Sequence, residues 1–183
     1  MSEDMNRRDA MGMALGACAA VGGVFALAGM KKAWDPLPSV KAAGTTTVDL
    51  SNAEENVLYT EKWRGKPVYI IKKTAEMIKM SGANDRAREV EVAGSKYIMF
   101  VALCTHLGCI PAYNNEPKDF FCACHGAVYD VAGINVSGPA PLPMLIPAFR
   151  VDGTSLVIGE ESPAYKKMVA DGVDGSKPLD HKA

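Results

Sequence analysis

An excess of charge of either sign is missing from this 183-residue sequence: 20 Lys and Arg stand against 21 Asp and Glu, a net charge of -1. Proteins that neutralise a phosphate backbone carry a basic excess, so nucleic-acid binding is excluded as the primary role. Histidine is scarce, with three residues, and there are five Cys. No internal repeat is present, which excludes a solenoid or propeller. Hydrophobic residues at 48% and charged residues at 22% exclude a chain too polar to fold. The length suits one domain of ordinary size with an appendage. Two of the three His and four of the five Cys fall between positions 104 and 125.

The appendage is at the N-terminus. Met11 to Met30 is an uncharged run of 20 residues, rich in Ala and Gly. As a helix it spans about 30 Å, the thickness of a bilayer's hydrocarbon core. Arg7 and Arg8 precede it, and an arginine pair before a modest apolar stretch resembles a twin-arginine export signal. An ordinary cleaved secretory signal is the alternative. No clear small-x-small cleavage site precedes a polar start, because the run passes straight into Lys31-Lys32-Ala33-Trp34, so a retained anchor is preferred. Basic residues flank both ends and leave orientation open. The export reading places the N-terminus in the cytoplasm and the bulk outside. Gly12, Gly16 and Ala20, four apart, suit close helix packing in a membrane but are equally usual in Gly-rich export signals. Cys18 reads as a small apolar filler.

Pro36, Pro38, Gly44 and three Thr mark 33–47 as a linker, which permits a tethered head to move. Strands are expected at Val68–Ile71, Val90–Val92, Tyr97–Leu103 and Ser155–Ile158, with turn residues at Arg64-Gly65-Lys66-Pro67. Residues 75–88 suit a short helix. The tail suits another at Ala164–Val169, followed by disorder, with His181 a solvated residue. Many short strands separated by turns point to a small antiparallel β domain.

Chemistry concentrates in two boxes, Cys104-Thr105-His106-Leu107-Gly108-Cys109 and Cys122-Ala123-Cys124-His125-Gly126, with 15 residues between His106 and Cys122. Six candidate ligands occupy 22 positions, whereas one metal site takes about four protein ligands. Two Cys are surplus, and in an exported domain neighbouring surplus thiols tend to oxidise to a disulfide. A zinc site, as in a zinc-stabilised interaction module with no redox role, also takes Cys and His. The Cys104-x-His106 spacing is tighter than zinc motifs use.

These boxes resemble the Rieske iron–sulfur proteins of cytochrome bc complexes. Cys104, His106, Cys122 and His125 match the family's C-x-H and C-x-x-H pattern. The resemblance extends over Trp63-Arg64-Gly65-Lys66-Pro67-Val68, Tyr129-Asp130 and Ser137-Gly138-Pro139-Ala140-Pro141. It implies an all-β fold, a Rieske-type antiparallel β-sandwich head with a cluster-binding subdomain, after one N-terminal transmembrane helix. It also implies one Rieske-type [2Fe-2S] cluster per chain, with the surplus pair Cys109 and Cys124 as a disulfide. Two thiolates suit the iron that stays ferric, and two neutral imidazoles on the other raise the potential above that of an all-Cys cluster. By the same resemblance His125 meets the quinol, with His106 exposed beside it. Leu107 faces the quinol pocket of cytochrome b. Gly138, Pro139 and Pro141 belong to a stiff loop covering the cluster, and Tyr129 donates to a ligand sulfur. One departure stands out: many members carry Ser two residues after the second-box His, where this chain has Ala127.

The implied organisation is a cytoplasmic N-terminus with its twin-arginine signal at 1–10 and an anchor at 11–32. A hinge follows at 33–47, then the [2Fe-2S] domain at 48–160 and a polar tail at 161–183 with no assigned role. The implied function is the iron–sulfur subunit of a quinol–cytochrome c oxidoreductase in a bacterial inner membrane. It would take one electron and a proton from quinol at cytochrome b, pass the electron to a c-type haem and so contribute to proton translocation. Expected partners are cytochrome b, a c-type cytochrome, quinol (menaquinol in particular) and membrane lipid around the helix, in a dimeric complex. The Rieske subunit of an arsenite-oxidising enzyme shares boxes, disulfide and export signal. Soluble Rieske ferredoxins and ring-hydroxylating dioxygenases typically lack the disulfide Cys and need no anchor.

Overall fold

The structure, a computed structural model, describes residues 6–42 and 44–179. His181 lies outside the described residues. The chain divides after Ala42 into two units.

The first unit is helical. Helix α1 (Arg7–Trp34) runs for 28 residues, about 42 Å. Asp9 in its first turn and Lys31 and Lys32 in its last oppose the helix dipole favourably. Pro36 disfavours the helical conformation at Asp35, which is extended at φ -67° and ψ 129°. None of the helix is buried, and a window of mean hydropathy 1.9 makes it long and apolar enough to cross a membrane. The expected anchor, 11–32, lies within it. A short helix α2 (Pro38–Ala42) occupies part of the expected linker. Pro38 opens it, in the position where a missing N–H loses no hydrogen bond.

The second unit carries three sheets whose strands all pair antiparallel. The first orders β1 (Thr46–Asp49), β11 (Ser155–Ile158) and β10 (Phe149–Asp152). The second orders β2 (Leu58–Trp63), β3 (Lys66–Lys72), β5 (Ser95–Val101) and β4 (Val90–Val92). The third orders β6 (Ala112–Asn114), β7 (Asp119–Cys122), β8 (Ala127–Tyr129) and β9 (Asn135–Ser137). The four expected strands lie within or across β3, β4, β5 and β11, and the fold is mostly β as expected. The β2–β3 turn is a two-residue hairpin closed by the Trp63–Lys66 pair. Arg64 and Gly65 both take positive φ there, 48° and 78°, the hand that matches strand twist.

Strand β3 is buried continuously from Val68 to Ile71, and β5 from Tyr97 to Val101, as strands covered on both faces require. The third sheet is locked to the second through Phe120. Its ring stacks on Tyr69 at 5.7 Å and meets Phe100 edge-on at 5.0 Å. The Tyr69 hydroxyl donates to Pro111 O at 3.0 Å. This anchors both ends of the first box, since β5 enters it and Pro111 leaves it.

Helices α3 (Ala75–Met80) and α4 (Ala83–Ala87) fall inside the expected 75–88 segment. Helix α5 (Pro163–Ala170) brackets the expected 164–169, with Ser162 accepting from the Tyr165 N–H at its start. The expected disorder beyond it is corrected: residues 172–175 are buried, and Val173 N–H closes on Met168 O at 3.0 Å. Polar composition concealed this, because the burial is carried by backbone and by Val173 rather than by an apolar run.

Candidate metal centre

The first box is the loop leaving β5. Cys104 N–H donates to Cys109 O at 2.7 Å and Gly108 N–H to Cys104 O at 2.8 Å, closing the loop on itself. The second box joins β7 to β8, with Gly126 N–H on Cys122 O at 3.0 Å. Cys109 and Cys124 form a disulfide across the two loops. The Sγ atoms of Cys109, Cys122 and Cys124 lie within 4.8 Å of one another. Two of them are spent on the bond, so only Cys122 of that trio is free to act as a ligand.

The free thiols Cys104 and Cys122 are buried, at 4% and 1% exposure. The Cys122 thiol donates a hydrogen bond to the Cys104 sulfur. Burial pushes the Cys104 thiol up, but donation from the Tyr129 hydroxyl, the His106 N–H and its neighbours outweighs it, and the net shift is down. Burial pushes Cys122 up. The two imidazoles sit at the outer end, with His106 half-buried and His125 exposed. Their rings are edge-to-face at 4.6 Å, and the two Nδ1 atoms face each other at 3.3 Å. Two sulfur donors inside and two nitrogen donors outside fit a two-iron, two-sulfide cluster held unevenly.

Tyr129, fully buried, sits at the end of β8. Its oxygen accepts the Thr105 N–H at 2.9 Å, and its hydroxyl donates to Cys104 Sγ at 3.3 Å, with Thr105 Oγ1 also within 3.1 Å. Burial and the Cys104 sulfur push its pKa up to about 12, so it remains a donor at physiological pH. Tyr129→Phe is expected to keep the cluster and lower its midpoint by about 60 mV. One hydrogen bond to charged sulfur is worth about 1.5 kcal/mol, and about 59 mV is tenfold in a one-electron couple. A redox titration of the variant checks this, and an unchanged midpoint would remove the tyrosine's role.

The covering loop is tied to the first box by Thr105, whose Oγ1 donates to Leu142 O at 2.6 Å. Gly138 could carry no side chain. At φ 88° a Cβ there would lie 2.6 Å from Ala127 Cα and 2.7 Å from Gly126 O. Ala140 is buried while Pro139 and Pro141 are exposed. Leu107 projects at 71% exposure with Ile110 at 59%, an apolar tip beside the imidazoles. Ala127, at 1% exposure, offers no hydroxyl. Sequence reasoning missed Thr105. Its signal was a hydroxyl between two candidate ligands. It also missed Leu142, which acts through its backbone and leaves no signal.

Asp130 follows Tyr129 and folds the next turn, its Oδ1 accepting from Ala132 N and Ile134 N at 2.9 Å each. Burial pushes its pKa up to about 7 against those hydrogen bonds and the Arg88 charge. The folded state therefore holds this proton, which the unfolded chain loses near 3.8, until about pH 7. Stability from this group is full below that window and falls as pH rises through it. Asp130→Asn stays neutral and keeps an acceptor oxygen. It is expected to flatten the fall in melting temperature from pH about 4 to about 7, and parallel pH profiles in parent and variant would refute the assignment.

Residues 47–152 match the family model described as the Rieske [2Fe-2S] domain. The chain is 39% identical over 171 residues to the ubiquinol-cytochrome c reductase iron-sulfur subunit of Bradyrhizobium diazoefficiens, covering 84% of this chain and 94% of that one. It is 36% identical over 159 residues to the subunit of the same name from Rickettsia felis, covering 81% and 89%. A solved chain from a hyperthermophilic respiratory Complex III superposes with a TM-score of 0.54 at 29% identity, covering 79% of this chain and 98% of that one.

Proposed function

Since the chain belongs to the Rieske [2Fe-2S] domain family, we propose that it is the iron–sulfur electron-transfer subunit of a quinol–cytochrome c oxidoreductase. The observation that carries this is two outward imidazoles, His106 and His125, over two buried free thiols, Cys104 and Cys122, with the remaining Cys pair oxidised. The protein carries a Rieske-type cluster and works in a cytochrome bc complex with cytochrome b and c-type partners, as a single-pass membrane protein. The relatives favour this over the arsenite-oxidising alternative.

When bound, the cluster supplies one-electron chemistry at a potential raised by its imidazole ligands. Cys104, His106, Cys122 and His125 would hold it. With Nδ1 turned toward His106, His125 Nε2 is the atom that accepts a hydrogen bond from quinol and takes its proton. Leu107 enters the quinol pocket of cytochrome b, and the loop with Gly138 and Pro139 excludes water. The Arg7-Arg8 pair supports twin-arginine export, with helix α1 in lipid and the head periplasmic, and the resemblance to bc-complex subunits supports a dimeric, proton-translocating assembly. The Pro and Gly of 33–47 support a hinge between an anchor at 11–32 and a head at 48–160. Ala127 supports a midpoint in the lower part of the Rieske range, about -150 to +300 mV, suited to menaquinol.

The test is purification of the complex from membranes through a tag on this chain. Cytochrome b and c-type haem are expected to co-purify, with quinol-dependent reduction of cytochrome c. A rigid helix in place of 33–47 is expected to slow turnover with the cluster intact. Recovery of the chain without either haem would overturn the proposal.

A further inference from the structure

The polar C-terminal segment lies beyond the region matched by the family model, yet it is built into the back of the covering loop. Arg88, fully buried at the end of α4, spreads its guanidinium over three backbone carbonyls. Nε donates to Ala132 O at 2.9 Å, Nη1 to Val173 O and Nη2 to Met144 O, each at 2.5 Å. These acceptors belong to the turn after Tyr129, the tail and the covering loop. Burial draws the Arg88 pKa down to about 10, opposed by Asp130, Asp174 and Asp85, so the group stays cationic. A planar five-donor fork suits three carbonyls as an ammonium cannot.

A second observation is independent of Arg88. Ile146 N–H donates to Asp174 O at 2.8 Å, and the Asp174 carboxylate accepts from Ser176 Oγ at 2.7 Å. Gly175, at φ 95°, approaches so closely that a Cβ would lie 2.7 Å from Met144 O, the oxygen Arg88 also holds. The loop is thus gripped from behind at Met144 and Ile146, and from the front at Leu142 by Thr105.

We propose that segment 171–176 is a brace for the cluster-covering loop and that Arg88 is the positioning residue joining brace, loop and the Tyr129 turn. The arrangement sets the hydrogen bonding at Cys104. It rests on the ligand assignment above. Loss of the brace lets Leu142 and Thr105 shift, Tyr129 follows through the Thr105 N–H, and the bond to Cys104 Sγ lengthens. The reduced cluster is then less stabilised.

Full-length protein in detergent carrying Gly175→Ala, and separately Arg88→Lys, tests this by hydrogen exchange and redox titration. Peptides covering 138–146 are expected to exchange about tenfold faster than in the parent. The midpoint is expected to fall, and the fall should vanish in a Tyr129→Phe background, where there is no bond left to lengthen. Unchanged exchange and midpoint in folded Gly175→Ala would overturn the proposal, as would an equal fall with and without Tyr129. Should both variants fail to fold, parent protein decides: rapid exchange of the Ile146 amide contradicts a brace, slow exchange supports it. A parent without Rieske paramagnetic signals would instead defeat the ligand assignment, leaving the exchange result to stand separately.

Discussion

Cys122→Ala is expected to yield a folded, colourless protein. Iron should drop from about two atoms per chain to none, because a two-iron cluster with four protein ligands does not survive the loss of one thiolate. Cys122 ends β7 and pairs with Ala127 across the hairpin, so alanine keeps the strand and removes only the sulfur. Cys122 is itself a buried core residue, but alanine removes one sulfur while Val68–Ile71 of β3 and Tyr97–Val101 of β5 keep their side chains. Circular dichroism should therefore be retained while visible absorption disappears. Retention of iron at the parental level would mean that the thiolate set has been misassigned.

Removal of the disulfide has the second-largest effect. Cys109 and Cys124 are 15 residues apart, and cross-linking a loop of that size stabilises by about 3 kcal/mol. The double variant Cys109→Ala, Cys124→Ala is expected to melt roughly 10 °C lower. It should also lose its cluster faster in air, because the two boxes are short loops with few other ties between them. An unchanged melt together with unchanged cluster loss would show that the covering loop alone fixes the boxes.

The boxes were legible because ligand chemistry needs specific atoms at specific spacings, and no packing role explains six such residues in 22 positions. Strands β3 and β5 were legible as apolar runs. Strands β6, β8 and β9 were not: Ala112-Tyr113-Asn114, Ala127-Val128-Tyr129 and Asn135-Val136-Ser137 lack the Val-Glu-Val alternation that marked the equally short β4. The pairing Cys109–Cys124 followed from the resemblance, and the fold places those sulfurs together. Helix α2 was hidden because Pro38 reads as a linker residue unless it is known to stand at a helix start. Arg88 and the 172–175 segment were hidden for a common reason. Arginine and polar tails are ordinarily exposed, and their burial here depends on backbone carbonyls whose positions only the fold reveals.

The most direct test of the account is a redox-poised paramagnetic resonance titration of the full-length protein against pH. One two-iron cluster with nitrogen as well as sulfur ligands is expected. Its midpoint should lie in the lower Rieske range and fall toward high pH, because electron gain is coupled to proton gain. Iron-free protein, or a cluster bound by cysteine alone with a pH-independent midpoint, would contradict it.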